Sequence, residues 1–237
     1  MEGSNKIVSQ YEYLSKYYDY LLGDEEAFSL WLNYIEEDDF KTCLELASGS
    51  GVMAKLLKQK GYDVIASDIS EEMAEAAKNN FDGEYLILNM INFDIDKKFD
   101  LILCICDSLN YLYSEELLPM FKNVYEHLNP NGRFIFDMHH PKRIEEFKEE
   151  YIEEGQIDKD VFYQWTINSD EDDNTINEHF TFYTPDGMIQ EHHTQNIFDI
   201  NEIYEKMLEA KFDTRIIKDF VEDEKILVVG KKNEEVV

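Results

Sequence analysis

Two carboxylates that follow short apolar runs have the clearest chemical potential in this chain. Glu45 lies at the end of a short apolar run from Thr42 to Leu46, and a turn containing Gly49 and Gly51 comes directly after that run. Asp68 ends a second apolar run, about 20 residues beyond the glycines. A glycine turn lets a ligand approach the backbone, and a helix behind it offers unpaired N–H groups. Since a buried charge is costly without a partner, the pattern predicts a ligand-binding edge of a sheet.

Two kinds of nucleotide ligand fit this loop. Residues 49–54 follow the pattern G-x-G-x-x-A, which a dinucleotide site can use. A glutamate four residues before the first glycine suits a pyrophosphate poorly. It suits a ligand with an ammonium group, and Asp68 can accept hydrogen bonds from ribose hydroxyls. A nicotinamide-dependent oxidoreductase stays open as an alternative function.

The loop resembles the first motif, E/D-x-G-x-G, of class I S-adenosylmethionine-dependent methyltransferases. Segments 62–73, 85–93 and 99–112, and the Asn-Pro-Asn-Gly turn at 129–132 with its following strand, resemble later motifs of that family in the same order. Asn89 stands where the family often has an aspartate, but its carbonyl can accept the same hydrogen bond from adenine. The resemblance implies S-adenosylmethionine as cofactor, with contacts from Tyr18, Glu45, Ala47, Gly49, Gly51, Asp68, Ile69, Met73, Asn89, Met90, Cys106 and Asp107.

The element pattern indicates an α/β fold of the doubly wound class, in which buried strands alternate with helices. The resemblance implies a seven-stranded, mostly parallel sheet of order 3-2-1-4-5-7-6 whose last strand is antiparallel. Residues 41–140 and 199–237 are expected to form this Rossmann-like core. Residues 1–40 are expected to form an N-terminal helical lid of two short helices. Residues 141–198 are expected to form a three-stranded antiparallel insertion that covers the substrate.

The lid and the insertion resemble those of small-molecule N-methyltransferases, including enzymes that act on amino sugars. The resemblance implies a small-molecule methyl acceptor, at nitrogen rather than oxygen, and a contact from Tyr18 in the lid to the methionine end of the cofactor. A non-catalytic module that binds S-adenosylmethionine without turnover stays open as a second alternative.

In-line displacement at a methyl carbon needs mainly proximity and alignment, together with a base that removes a proton. Asp137 ends the predicted fifth strand, residues 133–137, and His139 follows it at the ligand edge; we predict that these two are the catalytic residues. Histidines 179, 192 and 193 of the insertion are further candidates, although neighbours in a strand point to opposite faces. Histidine spacing typical of zinc sites is absent from the sequence, so we predict no metal.

The composition excludes several classes of partner. The formal net charge of −30 repels phosphate backbones and anionic membrane surfaces, so we expect no nucleic acid and no membrane partner. The first residues lack the features of a secretory signal, and the three cysteines are expected to be reduced core thiols. We therefore expect a cytoplasmic protein, whose oligomeric state the sequence does not indicate.

Overall fold

The computed structural model describes residues 4–23, 25–35, 40–221 and 224–233. The chain divides into a smaller unit, Met1–Gly23 with Pro141–Ile197, and a larger unit, Asp24–His140 with Phe198–Val237. Within the described ranges, no helix combines the length and the apolar character needed to cross a membrane.

The described residues form twelve strands and seven α-helices, together with 3-10 turns at Leu14–Lys16 and Ser108–Tyr111. The strands are β1 Ser4–Val8, β2 Thr42–Glu45, β3 Asp63–Asp68, β4 Glu84–Ile87, β5 Phe99–Cys104, β6 Leu128–His139, β7 Tyr151–Asp158, β8 Val161–Asp170, β9 Thr175–Thr184, β10 Gly187–Asn196, β11 Asp213–Phe220 and β12 Lys225–Lys231. The helices are α1 Tyr18–Leu21, α2 Glu25–Ile35, α3 Val52–Gln59, α4 Glu71–Ala77, α5 Ser114–His127, α6 Arg143–Glu146 and α7 Ile200–Glu209.

The larger unit contains a seven-stranded sheet in the order β11-β12-β6-β5-β2-β3-β4. Strand β12 is antiparallel to both of its neighbours, whereas the pairs from β6 to β4 are parallel. Counted along the chain within this sheet, the order is the predicted 3-2-1-4-5-7-6 with an antiparallel last strand. The predicted fold is therefore confirmed.

Local sequence explains how this sheet forms. Five of the six residues of β5 are fully buried, as expected for a strand covered by helices on both faces. Helix α4 begins after Ser70, whose hydroxyl accepts a hydrogen bond from the Met73 N–H at 3.1 Å. Glu71 and Glu72 lie in the first turn of that helix, where acids are favoured. Because these parallel strands share one direction, their carboxyl ends form one edge of the sheet.

The smaller unit contains a five-stranded sheet in the order β1-β10-β9-β8-β7, with β1 parallel to β10 and the other pairs antiparallel. Pro185 and Asp186 form the turn that joins the antiparallel pair β9 and β10. The prediction of three strands was wrong, because β7 and the N-terminal β1 also join the sheet. Strand β7 follows a run of acids and is mostly exposed, so its apolar alternation is weak.

The predicted boundary of the N-terminal lid at residue 40 does not match this division. Residues up to Gly23 belong to the smaller unit, whereas α2 belongs to the larger one. The reason is burial, because Trp31 and Ile35 of α2 pack in an apolar cluster with Cys43 and Leu57 of the core. The functions of lid and substrate cover stay predictions.

Glu191 fixes the N-terminal segment of the smaller unit. Its side chain is fully buried and accepts hydrogen bonds from the N–H groups of Tyr11, Tyr13 and Leu14 at 2.5, 2.9 and 3.0 Å. His193 Nε2 lies 2.8 Å from the same carboxylate. Burial alone would raise the pKa of Glu191, but these hydrogen bonds outweigh burial and lower it.

Glu191→Ala should release residues 11–14 from β10, because three buried or partly buried N–H groups would lose their acceptor. We expect destabilisation of the smaller unit by about 3 kcal/mol and faster amide exchange at these residues. Urea unfolding and hydrogen exchange measure the two effects. Glu154→Ala, on the exposed part of β7, is the control and should change stability by less than about 0.5 kcal/mol. Wild-type protection of residues 11–14 in Glu191→Ala would contradict this role.

Candidate active site

Glu45 is a buried acid at the carboxyl end of β2. Its side chain is 2% exposed, and the Ser48 hydroxyl donates a hydrogen bond to its Oε2 at 2.8 Å. Burial raises the pKa of Glu45 to about 8, against the opposing hydrogen bonds from Ser48 and the Ala54 backbone. The ligand-free carboxyl is therefore mostly protonated at pH 7.

Asp68 is a second buried acid, at the carboxyl end of the neighbouring strand β3. Its carboxylate accepts hydrogen bonds from the N–H groups of Gly49 and Ser70, both at 3.0 Å. Burial raises the pKa of Asp68 in spite of these bonds. Glu45 on β2 pairs with Ala66 on β3, so these two side chains lie on the same face of the sheet. Asp68 is two residues after Ala66 on β3, and side chains two apart in a strand share a face. Both acids therefore project from the same side of the sheet.

The turn between β2 and α3 has a left-handed backbone at three positions. The φ angles are 51° at Ala47, 55° at Gly49 and 78° at Gly51. A Cβ on Gly51 would lie 3.0 Å from the Cβ of Phe81, so close packing as well as conformation requires glycine there. The Tyr85 hydroxyl holds the turn by donating to the Gly49 carbonyl at 2.6 Å.

The predicted adenine-side residues differ in accessibility. Ile69 follows Asp68 and is 66% exposed, whereas Met73 is only 1% exposed. The Oδ1 of the exposed Asn89 accepts a hydrogen bond from the Ile91 N–H at 2.8 Å, which leaves one lone pair for a ligand. Met90 is half-buried. Contacts of these four residues with a cofactor stay predictions.

Tyr18, the predicted contact to the methionine end, lies in the smaller unit. It is the first residue of α1, and its ring centroid lies 6.2 Å from that of Tyr11. Its role toward a cofactor in the larger unit stays a prediction.

The donor set of the larger unit fits S-adenosylmethionine. Glu45 and Asp68 are buried acids whose raised pKa values indicate a need for a cationic or hydroxyl partner. An ammonium group and a ribose supply these partners. Ile69 offers the exposed apolar surface that a purine ring needs.

Asp137 is the centre of a hydrogen-bond network beside this edge. Its fully buried carboxylate accepts hydrogen bonds from the N–H groups of Cys106 at 2.6 Å and Asp107 at 3.1 Å. It also accepts from Trp31 Nε1 at 3.1 Å and Lys225 Nζ at 3.2 Å. The four donors surround the carboxylate, so a role in positioning fits this geometry better than proton transfer to substrate. The catalytic role of Asp137 stays a prediction that the geometry does not favour.

Cys106 and Asp107, both predicted cofactor contacts, adopt an uncommon backbone conformation. Their φ angles are 59° and 58°, and both side chains are half-buried. Left-handed conformations cost roughly 1–2 kcal/mol each for residues with a side chain. Hydrogen bonds to Asp137 offset this cost.

Lys225 and His139 complete the network around Asp107. Lys225 Nζ donates to the carboxylate of Asp107 as well as to that of Asp137, and His139 Nδ1 lies 3.5 Å from Asp107 Oδ1. Burial alone would lower the pKa of Lys225, but the two carboxylates outweigh it and raise the pKa. Sequence reasoning missed Lys225. The predicted antiparallel last strand contained the signal, because its first residue must lie beside the end of the fifth strand, and Lys225 pairs with His139.

The remaining histidine candidates lie in the smaller unit. His193 is buried against Glu191 and His192 is exposed, as expected for neighbours in a strand. His192 Nδ1 lies 2.6 Å from His179 Nδ1. Across the described ranges, no group of three or more His, Cys, Asp or Glu residues is arranged to hold a metal.

Glu45→Gln should stabilise the ligand-free protein in a pH-dependent way. Between pH 4.5 and about 8 the folded state retains a proton that the unfolded state has lost, so the stability contributed by Glu45 falls as pH rises through that window. Glutamine stays neutral throughout. We expect the variant to match the wild type at low pH and to exceed it by on the order of 1–3 kcal/mol above pH 8.

Denaturant unfolding at the two ends of the pH window measures this difference. Glu84→Gln removes an exposed acid on β4 and should show no such dependence. A stability difference between Glu45→Gln and the wild type that is the same at both pH values would refute the raised pKa.

Comparison with known proteins agrees with this geometry. Residues 43–132 match the family described as a methyltransferase domain. YqeM of Bacillus subtilis (strain 168), whose name gives its methyltransferase assignment as provisional, is 28% identical over 90% of this chain and 91% of its own length. A S-adenosylmethionine-dependent methyltransferase from Clostridium acetobutylicum ATCC 824 has a TM-score of 0.78 at 24% identity, covering 94% of this chain and 99% of the other. The sugar N-methyltransferase KedS8 from Streptoalloteichus sp ATCC 53650 has a TM-score of 0.80 at 18% identity and covers 94% of both chains.

The two solved structures establish the fold, and the matched domain identifies the reaction class. The glycine loop, Glu45 and Asp68 all lie within the matched residues 43–132, and their contacts with a cofactor stay predictions. The chain is a S-adenosylmethionine-dependent methyltransferase with the class I fold.

Proposed function

We propose that the acceptor of the methyl group is an amine nitrogen of a small molecule. The observation that carries this proposal is the Asp107–His139 pair at the carboxyl edge of β5 and β6, in the same unit as Glu45 and Asp68. An amine is mostly an ammonium ion at neutral pH and must lose a proton before its lone pair can attack. An imidazole beside a carboxylate suits that task.

The charge of the chain supports a cationic acceptor. With 52 acidic and 22 basic residues, the protein attracts small cations and repels polyanions. Ammonium groups therefore approach it more readily than phosphate-bearing macromolecules do. The similarity to KedS8, which is named as a sugar N-methyltransferase, is consistent with an amine on a small molecule.

Each residue of the site has a distinct task in this proposal. Glu45 would hold the ammonium group of the cofactor, Asp68 its ribose hydroxyls, and Ile69 its adenine. When bound, S-adenosylmethionine supplies a methyl group on a sulfonium centre that is already a good leaving group. The chain contributes alignment, and His139, whose Nδ1 lies 3.5 Å from Asp107 Oδ1, accepts the proton of the acceptor amine.

Incubation of the purified protein with S-adenosylmethionine and a panel of small amines and phenols tests the acceptor class. We expect N-methylated products by mass spectrometry. His139→Ala should lower kcat by about 100-fold, because general base catalysis typically contributes at least that factor. The bond from the His139 backbone N–H to Asn110 Oδ1 does not involve the ring and is retained in this variant.

His127→Gln is the matched control. It removes another imidazole of the larger unit, at the end of α5 where β6 begins, which is the opposite edge of the sheet. Its kcat should equal that of the wild type. Exclusive O-methylation, or an unchanged kcat in His139→Ala, would contradict the proposal.

A further inference from the structure

Lys225 is the positive member of a buried network at the ends of β5 and β6. The charged and titratable groups that face it are Asp107 and Cys106 after β5, and Asp137 and His139 on β6. Its side chain is 15% exposed. In a chain with a large excess of acids, this lysine offsets two carboxylates that solvent reaches poorly.

The hydrogen bonds of Asp137 require its ionised form. A carboxylate accepts at both oxygens, whereas a carboxylic acid turns one oxygen into a donor. That donor would face an N–H group or the Lys225 ammonium, because each oxygen already has two donors beside it. Burial raises the pKa of Asp137 and so favours the neutral acid, while the positive charge of Lys225 opposes this effect.

The conformation of the segment after β5 depends on that ionised carboxylate. Cys106 and Asp107 both have positive φ, and their consecutive N–H groups converge on the two oxygens of Asp137. Consecutive N–H groups in such a conformation form a concave anion site. Here the anion is the carboxylate of Asp137, so loss of its charge weakens the hydrogen bonds that hold Cys106 and Asp107 in this conformation.

We propose that Lys225 is a positioning residue for methyl transfer, which keeps Cys106 and Asp107 in place through its ion pairs with Asp137 and Asp107. The part of this inference that concerns transfer rests on the proposed function, in which His139 beside Asp107 is the base. The part that concerns the segment's conformation stands on the ligand-free protein.

Hydrogen exchange of the Cys106 and Asp107 amides tests the conformational part directly. In Lys225→Met we expect exchange at least ~10-fold faster than in the wild type. Trp31 fluorescence, in a Trp165→Phe background, should change as well, since Trp31 donates to Asp137. We expect kcat to fall ~10-fold or more, together with weaker binding of S-adenosylmethionine, because Cys106 and Asp107 are also predicted cofactor contacts.

Two variants serve as controls. Lys225→Arg keeps the charge and should retain protection within ~3-fold of the wild type. Lys218→Met, exposed on β11, should behave as the wild type does. Wild-type exchange in Lys225→Met, or equal loss of protection in Lys225→Arg and Lys225→Met, would overturn the proposal.

A titration of the wild type covers the case in which Lys225→Met fails to fold. Acidification protonates Asp137, so the Cys106 and Asp107 amides should lose protection, corrected for intrinsic exchange, before the protein unfolds globally. Loss of protection only together with global unfolding would overturn the proposal. These exchange measurements need no acceptor, so their outcome is independent of whether any amine is methylated.

Discussion

Burial of carboxylates at the carboxyl edge of a parallel sheet is the constraint on which this structure depends. Strands covered on both faces by helices have little access to water at their ends, yet three of them end in or near an acid. A buried charge without a partner costs several kcal/mol. Each acid therefore needs a proton, a cation or a set of N–H donors, and the choice among these partners determines the chemistry of the edge.

The protein uses a different solution at each position. Glu45 retains a proton in the ligand-free state, because only Ser48 and one backbone N–H oppose its burial. Asp137 accepts hydrogen bonds from an ammonium, an indole and two backbone N–H groups, which favour its charged form. Glu191 in the smaller unit is fully buried and relies on three backbone N–H groups and a histidine. Asp137 and Glu191 have hydrogen-bond partners within the protein and are structural. Glu45 is the acid whose protonation state should change when a cation binds.

The difference between Glu45 and Asp137 distinguishes an acid that can bind a ligand from an acid that positions the backbone. A carboxyl that is protonated without ligand can ionise when an ammonium arrives, so its burial becomes favourable only in the complex. A carboxylate that already has four donors gains little from a ligand and instead fixes the backbone around it. The residues that hold Cys106 and Asp107 in place are distant from them in sequence, on α2, β6 and β12.

Much of the larger unit could be predicted from the sequence because its signals are local. Apolar runs that end at Glu45, Asp68 and Asp137, each followed by a turn or a helix start, determine the strands and their carboxyl ends. Strand β7 pairs locally with β8 but is mostly exposed, so it lacks the apolar alternation that predicts a strand. Strand β1 could not be predicted, since its pairing with β10 is long-range. The same applies to Lys225, whose partners lie on strands distant in sequence, and to α2, whose burial against the core sets the unit boundary.

The most direct test of this account is isothermal titration of the wild type and of Glu45→Gln with S-adenosylmethionine at neutral pH, in buffers that differ in ionisation enthalpy. A bound ammonium should lower the pKa of Glu45 and release its proton, so the observed heat of the wild type should depend on the buffer. The dependence should be weaker in Glu45→Gln, and its affinity lower. Equal buffer dependence in both proteins, or no saturable heat in the wild type, would contradict the account.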